Sequence, residues 1–184
     1  MGKRCCALFR TPRIAISLII GPLMVGITAT AALATSGAHF FSASSAVKTT
    51  GNNLGALLLS WDEAGVGQAQ VNYSLDITSE SALYACFNKG GNHPQASNKE
   101  GPTGPISTNL GTFSSINGRV KVSNFVVPGT PLPATLRCPT GQRERIEQVT
   151  YTLGNLTDTT NNKSISLAPG PGCVSFDTKN FPCP

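Results

Sequence analysis

The stretch Val71-Asn72-Tyr73-Ser74-Leu75-Asp76-Ile77 alternates strictly between apolar and polar side chains. Alternation with a period of two predicts a half-buried β-strand whose apolar face carries Val71, Tyr73, Leu75 and Ile77. No stretch of the sequence shows the 3.6-residue period of a convincing amphipathic helix. The chain is therefore expected to be all-β.

Similar short segments lie on both sides of this strand and are separated by Gly, Pro, Asn and Ser. They predict further strands at residues 41–48, 54–62, 83–87, 106–113, 119–127, 135–138, 144–155 and 164–167. Eight or nine short strands with turn signals between them predict an antiparallel β-sandwich of immunoglobulin-like architecture with Greek-key connections. The single tryptophan, Trp61, precedes Cys86 instead of lying between paired cysteines, so the likeness to immunoglobulin domains is one of architecture only.

The dipeptide Asn117-Gly118 lies between two of the predicted strands. A type I′ turn requires a positive φ at both of its central residues, which asparagine and glycine adopt most readily. We therefore expect the strands at 106–113 and 119–127 to form a β-hairpin.

Residues 1–38 predict a secretory signal peptide. Four basic residues precede an apolar run at 14–27, and small residues follow around Ala34 and Ala38. This order is typical of a leader, here removed after Ala34 or after Ala38. Residues 39–184 are then expected to form one secreted, extracellular domain with no membrane attachment after cleavage.

Removal of the leader changes the charge of the protein. The chain has 14 basic and 9 acidic residues, and four of the basic ones, Lys3, Arg4, Arg10 and Arg13, belong to the leader. The mature part is therefore close to neutral, with a net charge of +1. A nucleic-acid partner is not expected, because such proteins usually carry a strong basic excess.

Four cysteines follow the leader: Cys86, Cys138, Cys173 and Cys183. An even number in an exported domain predicts two disulfides, for which three pairings are possible. We favour Cys86–Cys138 and Cys173–Cys183, because the second bond closes a short loop and anchors the C-terminal segment. The spacings match no zinc site.

The polar segment at 88–100 is the candidate binding site. It is long for a connection between strands, and long loops on rigid sandwiches often carry function. Its amide side chains both donate and accept hydrogen bonds, which suits neutral polar ligands such as glycans. The candidate binding residues are Asn88, Lys89, Asn92, His93, Gln95, Asn98 and Lys99. The alternative is a structural loop whose side chains bond to its own backbone.

His39 becomes the N-terminal residue if the leader is cleaved after Ala38. A terminal histidine can chelate copper through its amine and its imidazole, and His93 would supply a third nitrogen. This pair resembles the histidine brace of lytic polysaccharide monooxygenases and related copper-binding proteins, which implies a copper site of His39 and His93. Cleavage after Ala34 would instead place a four-residue tail before His39.

A second resemblance covers more of the chain. Tyr84-Ala85-Cys86, the loop from Gly90 to Ala96 with Asn98-Lys99-Glu100, and His39-Phe40-Phe41-Ser42 resemble a group of small secreted proteins. The resemblance implies a secreted single domain and no particular chemistry. No Gly-x-Ser-x-Gly nucleophile elbow is present, and no catalytic residue is assigned.

The sequence therefore favours a secreted, non-enzymatic binding module that binds a glycan or another cell-surface component through the loop at 88–100, without a cofactor. Two alternatives stay open. One is a copper-binding protein with His39 and His93 as ligands, and the other is a structural cell-surface module. Whether any catalysis occurs is not decided by the sequence.

Overall fold

The computed structural model describes residues 37–91 and 99–184. Within these residues the chain forms nine β-strands and no helix, which confirms the predicted all-β class. The strands are β1 (His39–Val47), β2 (Leu57–Ala64), β3 (Gln70–Asn88), β4 (Lys99–Glu100), β5 (Thr103–Ser114), β6 (Arg119–Val126), β7 (Gln142–Asp158), β8 (Lys163–Ser166) and β9 (Gly172–Ser175).

The strands form two antiparallel sheets. One sheet has three strands in the order β1-β2-β6. In the six-stranded sheet, the long strands β3 and β7 pair from Tyr73–Asp158 at one end to Asn88–Gln142 at the other. Strands β5 and β4 follow one another along the outer edge of β3, and β8 and β9 do the same along β7. The residues at each end of β3 and β7 are therefore held together across the sheet.

Strand β3 joins two segments that were predicted as separate strands. Its first half buries Val71, Tyr73, Leu75 and Ile77, as the alternation predicted. The pairing with β5 shifts between Ile77 and Glu80, and the buried positions change from odd to even numbers there, continuing with Glu80, Ala82 and Tyr84. Such a β-bulge inserts a residue without ending the strand. The sequence pattern is interrupted at the bulge, whereas the backbone pairing continues.

An aromatic cluster fills the core between the two sheets. Trp61 of β2 is 2% exposed, and its ring lies 5.1 Å from that of Tyr73 and 4.9 Å from that of Phe113. Phe125 of β6 adds a further contact with Phe113 at 5.3 Å. Because Tyr73 and Phe113 belong to the six-stranded sheet, these ring contacts connect the sheets directly.

The predicted hairpin at Asn117-Gly118 is correct in its turn and wrong in its strand pairing. Both residues have positive φ, 52° and 72°, and Ile116 and Arg119 exchange two backbone hydrogen bonds across the turn. Beyond this single bridge the strands separate, because β5 joins β3 in one sheet and β6 joins β2 in the other. The turn therefore passes the chain from one sheet to the other.

Two more local predictions differ from the structure. Residues 135–138 form no strand. This segment contacts Glu100 instead, whose Oε1 accepts hydrogen bonds from the Thr135 backbone N–H at 2.9 Å and hydroxyl at 2.6 Å. Strands β4 and β9 were not predicted, since two and four residues are too short for a reliable alternation.

Both predicted disulfides are confirmed. Cys86 of β3 is bonded to Cys138, which lies four residues before β7 begins. Cys173 of β9 is bonded to Cys183 near the end of the chain. The two bonds attach irregular segments to the edges and ends of the six-stranded sheet.

Candidate functional site

A cavity lies where β3 ends and β7 begins. It has a volume of about 360 Å³, at the lower end of the range for small-molecule sites. Its described lining residues are Phe87, Asn88, Lys89, Gly91, Arg143 and Arg145. We call it the basic cavity, because three of these residues are cationic. None of these described lining residues is acidic.

Backbone pairing brings the two walls of the basic cavity together. Phe87 is paired with Arg143 across the sheet, and Asn88 with Gln142. After Asn88 the chain turns, since the Gly91 N–H donates to the Asn88 carbonyl at 3.1 Å and the Gly90 N–H to its Oδ1 at 3.0 Å. The turn holds the start of the 88–100 loop beside the first residues of β7.

The Cys86–Cys138 disulfide reinforces the same place. It connects β3, one residue before Phe87, to the segment that leads into β7. Between Cys138 and β7 a turn is closed by the Gln142 N–H, which donates to the Pro139 carbonyl at 3.0 Å. The walls of the cavity are therefore connected covalently as well as by sheet hydrogen bonds. Such rigid support favours a binding site, because little ordering is needed when a ligand binds.

A small apolar cluster lies beneath the basic cavity. Phe87 packs with Ala85 and Leu83 of β3 and with Phe181 of the C-terminal segment. The Gln148 side chain donates to the Pro182 carbonyl at 3.0 Å and so holds that segment on the sheet. The Cys173–Cys183 disulfide anchors the same segment. Both disulfides therefore support one region of the sheet. The spacing of the cysteines in the sequence does not show that the two bonds share this region.

The cationic groups around the cavity differ in their partners. The Arg145 guanidinium lies 4.9 Å from the centre of the Phe87 ring and 3.5 Å from the buried Glu147 carboxylate. Lys99 of β4 lies beside the cavity, with its ammonium 4.9 Å from the Phe181 ring. Within residues 37–91 and 99–184, neither Lys89 nor Arg143 has a carboxylate at ion-pair distance.

The structure places three of the predicted binding residues at this end of the sheet. Asn88 and Lys89 line the basic cavity, and Lys99 pairs with Ala85 on the neighbouring strand. The other predicted binding residues lie outside the described residues: Asn92, His93, Gln95 and Asn98. Sequence reasoning missed Arg143 and Arg145, although their spacing of two residues at the start of a predicted strand indicated that they share a face.

A second, shallower cavity of about 190 Å³ lies on the outer face of the three-stranded sheet. Its acidic residue, Asp62, accepts two hydrogen bonds of 2.6 Å from the Arg119 guanidinium. This interaction holds the pKa of Asp62 below its usual value. The acidic group of this cavity is thus already paired, and Lys121 is the one cation among its described lining residues. We regard the basic cavity, with three lining cations, as the better binding site.

His39, the predicted copper ligand, is the first residue of β1 and is exposed. Its Nδ1 lies 2.7 Å from the Gly37 carbonyl oxygen, a contact that needs a proton on Nδ1. In the described part of the chain, no three His, Cys, Asp or Glu side chains are grouped so that they could hold a metal ion.

A buried polar group lies next to the aromatic cluster at the other end of β3 and β7. The Glu63 side chain is fully buried, and its Oε2 accepts a hydrogen bond of 2.6 Å from the Tyr73 hydroxyl. The pKa of Glu63 is raised to about 7, mainly because burial disfavours the charged carboxylate; the Tyr73 hydrogen bond opposes this rise, and the neighbouring Asp158 carboxylate adds to it. Asp158 itself caps the turn after β7 through the Thr160 and Asn161 N–H groups at 2.8 and 2.9 Å.

No known protein family, curated protein or solved structure matches the chain. Neither of the two family resemblances gains support from these comparisons. The all-β fold and the two disulfides rest on the structure itself.

Proposed function

We propose that this protein is a secreted binding module whose ligand site is the basic cavity. The observation that carries the proposal is a concave site on a rigid, disulfide-anchored sheet end, lined by cationic groups of which Lys89 and Arg143 have no acidic partner in the described residues. A concave site lined by charges of one sign attracts ligands of the opposite sign. The ligand class we propose is a glycan or another cell-surface component.

The two disulfides support the proposal that the protein is exported. Two disulfides in a small domain are typical of extracellular proteins, since cytosolic thiols are kept reduced. No helix among the described residues is long and apolar enough to cross a membrane. We propose that residues 1–38 contain the signal peptide and that the immunoglobulin-like arrangement applies to the sandwich architecture alone.

The binding function is tested with a glycan array. We expect the mature protein to bind a subset of glycans and the double variant Lys89→Ala/Arg143→Ala to lose at least about tenfold in affinity, since each cation contributes charge-assisted hydrogen bonds. Lys163→Ala is the matched control, because Lys163 is exposed on β8 at the opposite end of β7. Binding that is equal in both variants, or no binding at all, would contradict the proposed function.

We further propose that the leader is cleaved after Ala34. Ala38 is 4% exposed and belongs to the main core, and a Cβ added at Gly65 would lie only 2.4 Å from the Gly37 carbonyl oxygen. Residues 37 and 38 are thus packed as part of the domain, and their removal would open the core beside β2. N-terminal sequencing of the secreted protein is expected to begin at Thr35.

Measurements on the same secreted protein distinguish the copper-binding alternative from the structural alternative. A mature chain that begins at His39 would contradict our cleavage site and favour the copper-binding protein. In that case copper titration should show a loss of affinity in His93→Ala. Absence of both glycan and copper binding would instead favour a structural cell-surface module.

A further inference from the structure

We infer that the ligand of the basic cavity is an anionic glycan, recognised through its carboxylate or sulfate groups. This inference rests on the proposed function and specifies its ligand. It differs from the expectation drawn from the 88–100 loop, whose amides suit neutral sugars, because the structure adds two arginines from a different strand.

The charge at this site is concentrated although the mature protein is nearly neutral. Four of the ten basic residues after the leader lie at this end of the six-stranded sheet: Lys89, Lys99, Arg143 and Arg145. Two more acidic residues lie at this end, Glu100 and Glu144, at positions that alternate with those of Lys99, Arg143 and Arg145 and so point to the other face of the sheet. Glu147, which is fully buried, contacts Arg145. A concave surface with this imbalance attracts negatively charged ligands.

The two arginines suit oxyanions in geometry as well as in charge. Arg143 and Arg145 are two residues apart on one strand, so they lie on the same face and about 7 Å apart along it. A guanidinium presents a planar fork of N–H donors that matches a carboxylate or a sulfate. The ring of Phe87 lies under the Arg145 guanidinium and limits its movement, which lowers the entropy lost on binding.

The same features favour a glycan over a nucleic acid. Phe87 and Phe181 are 6% and 7% exposed, so neither ring offers a surface on which a base could stack. The cavity of about 360 Å³ accommodates one or two sugar units, whereas a duplex needs an extended basic surface. The mature net charge of +1 does not provide such a surface.

The inference is tested with polymers that differ only in charge. The mature protein is titrated with dextran sulfate against dextran, and with polygalacturonate against its methyl ester. We expect at least one anionic polymer to bind about tenfold or more tightly than its neutral counterpart, and the two pairs distinguish sulfate from carboxylate. Arg143→Ala should lose about tenfold in affinity for that polymer, Arg143→Lys should lose less, and Lys163→Ala should change it less than about twofold.

Arg143 is chosen because it is exposed and has no ion-pair partner in residues 37–91 and 99–184, so its replacement does not leave a buried charge unpaired. Equal binding of charged and neutral polymers, or tighter binding of a single-stranded oligonucleotide or of phosphatidylserine vesicles, would overturn the inference. If neutral glycans bind and Arg143→Ala weakens them, the proposed function stands and the anionic ligand is wrong. If no glycan of either kind binds, the proposed function fails as well.

Discussion

Replacement of Trp61 by alanine is expected to lower the free energy of unfolding by about 3–5 kcal/mol, the usual cost of removing a large aromatic side chain from a packed core. Trp61 is 2% exposed and contacts Tyr73 and Phe113 on the opposite sheet. The cavity left behind would lie between the sheets, where neither backbone can close it without breaking strand pairs. Urea unfolding of the disulfide-intact protein, followed by circular dichroism, measures the loss.

Two further variants show whether the loss comes from the position of Trp61. Trp61→Phe keeps a ring between the sheets and should lose less than Trp61→Ala. Ile116→Ala removes a large apolar side chain that is 75% exposed, and it should change the free energy of unfolding by less than about 0.5 kcal/mol. Equal losses for Trp61→Ala and Ile116→Ala would mean that the aromatic cluster does not hold the sheets together.

The stability of the protein is expected to fall as the pH rises from about 4.5 to about 7. Burial raises the pKa of Glu63 from its ordinary value of 4.5 to about 7 in the folded state. Below pH 4.5 the carboxyl is protonated in both folded and unfolded chains, so this stabilising contribution is complete there. Between pH 4.5 and 7 the unfolded chain releases the proton first, and the contribution declines. We expect a loss of about 2–3 kcal/mol between pH 4.5 and pH 8.

The variant Glu63→Gln separates the contribution of Glu63 to the pH dependence of stability from the contributions of other titrating groups. An amide can still accept the hydrogen bond from Tyr73 and cannot ionise, so the variant should match the wild type near pH 5 and be more stable at pH 8. A smaller slope should remain, because burial also raises the pKa of Glu80. The exposed Glu144→Gln is the control and should keep the wild-type profile. Parallel pH profiles for the wild type and Glu63→Gln would show that folding does not raise the pKa of Glu63.

The candidate site was predictable in part. The loop that begins at Asn88 was identified from its length and polarity, and Asn88 and Lys89 do line the basic cavity. Arg143 and Arg145 were not among the predicted binding residues, because nothing in a local pattern indicates which loop a strand will face. Their proximity to Asn88 depends on the register of β3 and β7, in which Phe87 is opposite Arg143.

Local signals in the sequence determined most of the strands, the buried face of the strand at 71–77 and the turn at Asn117-Gly118. They succeed because side-chain alternation and a positive φ depend on neighbouring residues alone. The tertiary structure decided the partners: it separated β5 from β6, carried β3 through its bulge and placed two arginines beside a lysine. Strand pairing is chosen by the burial of both faces over the whole domain, and no short segment contains that information.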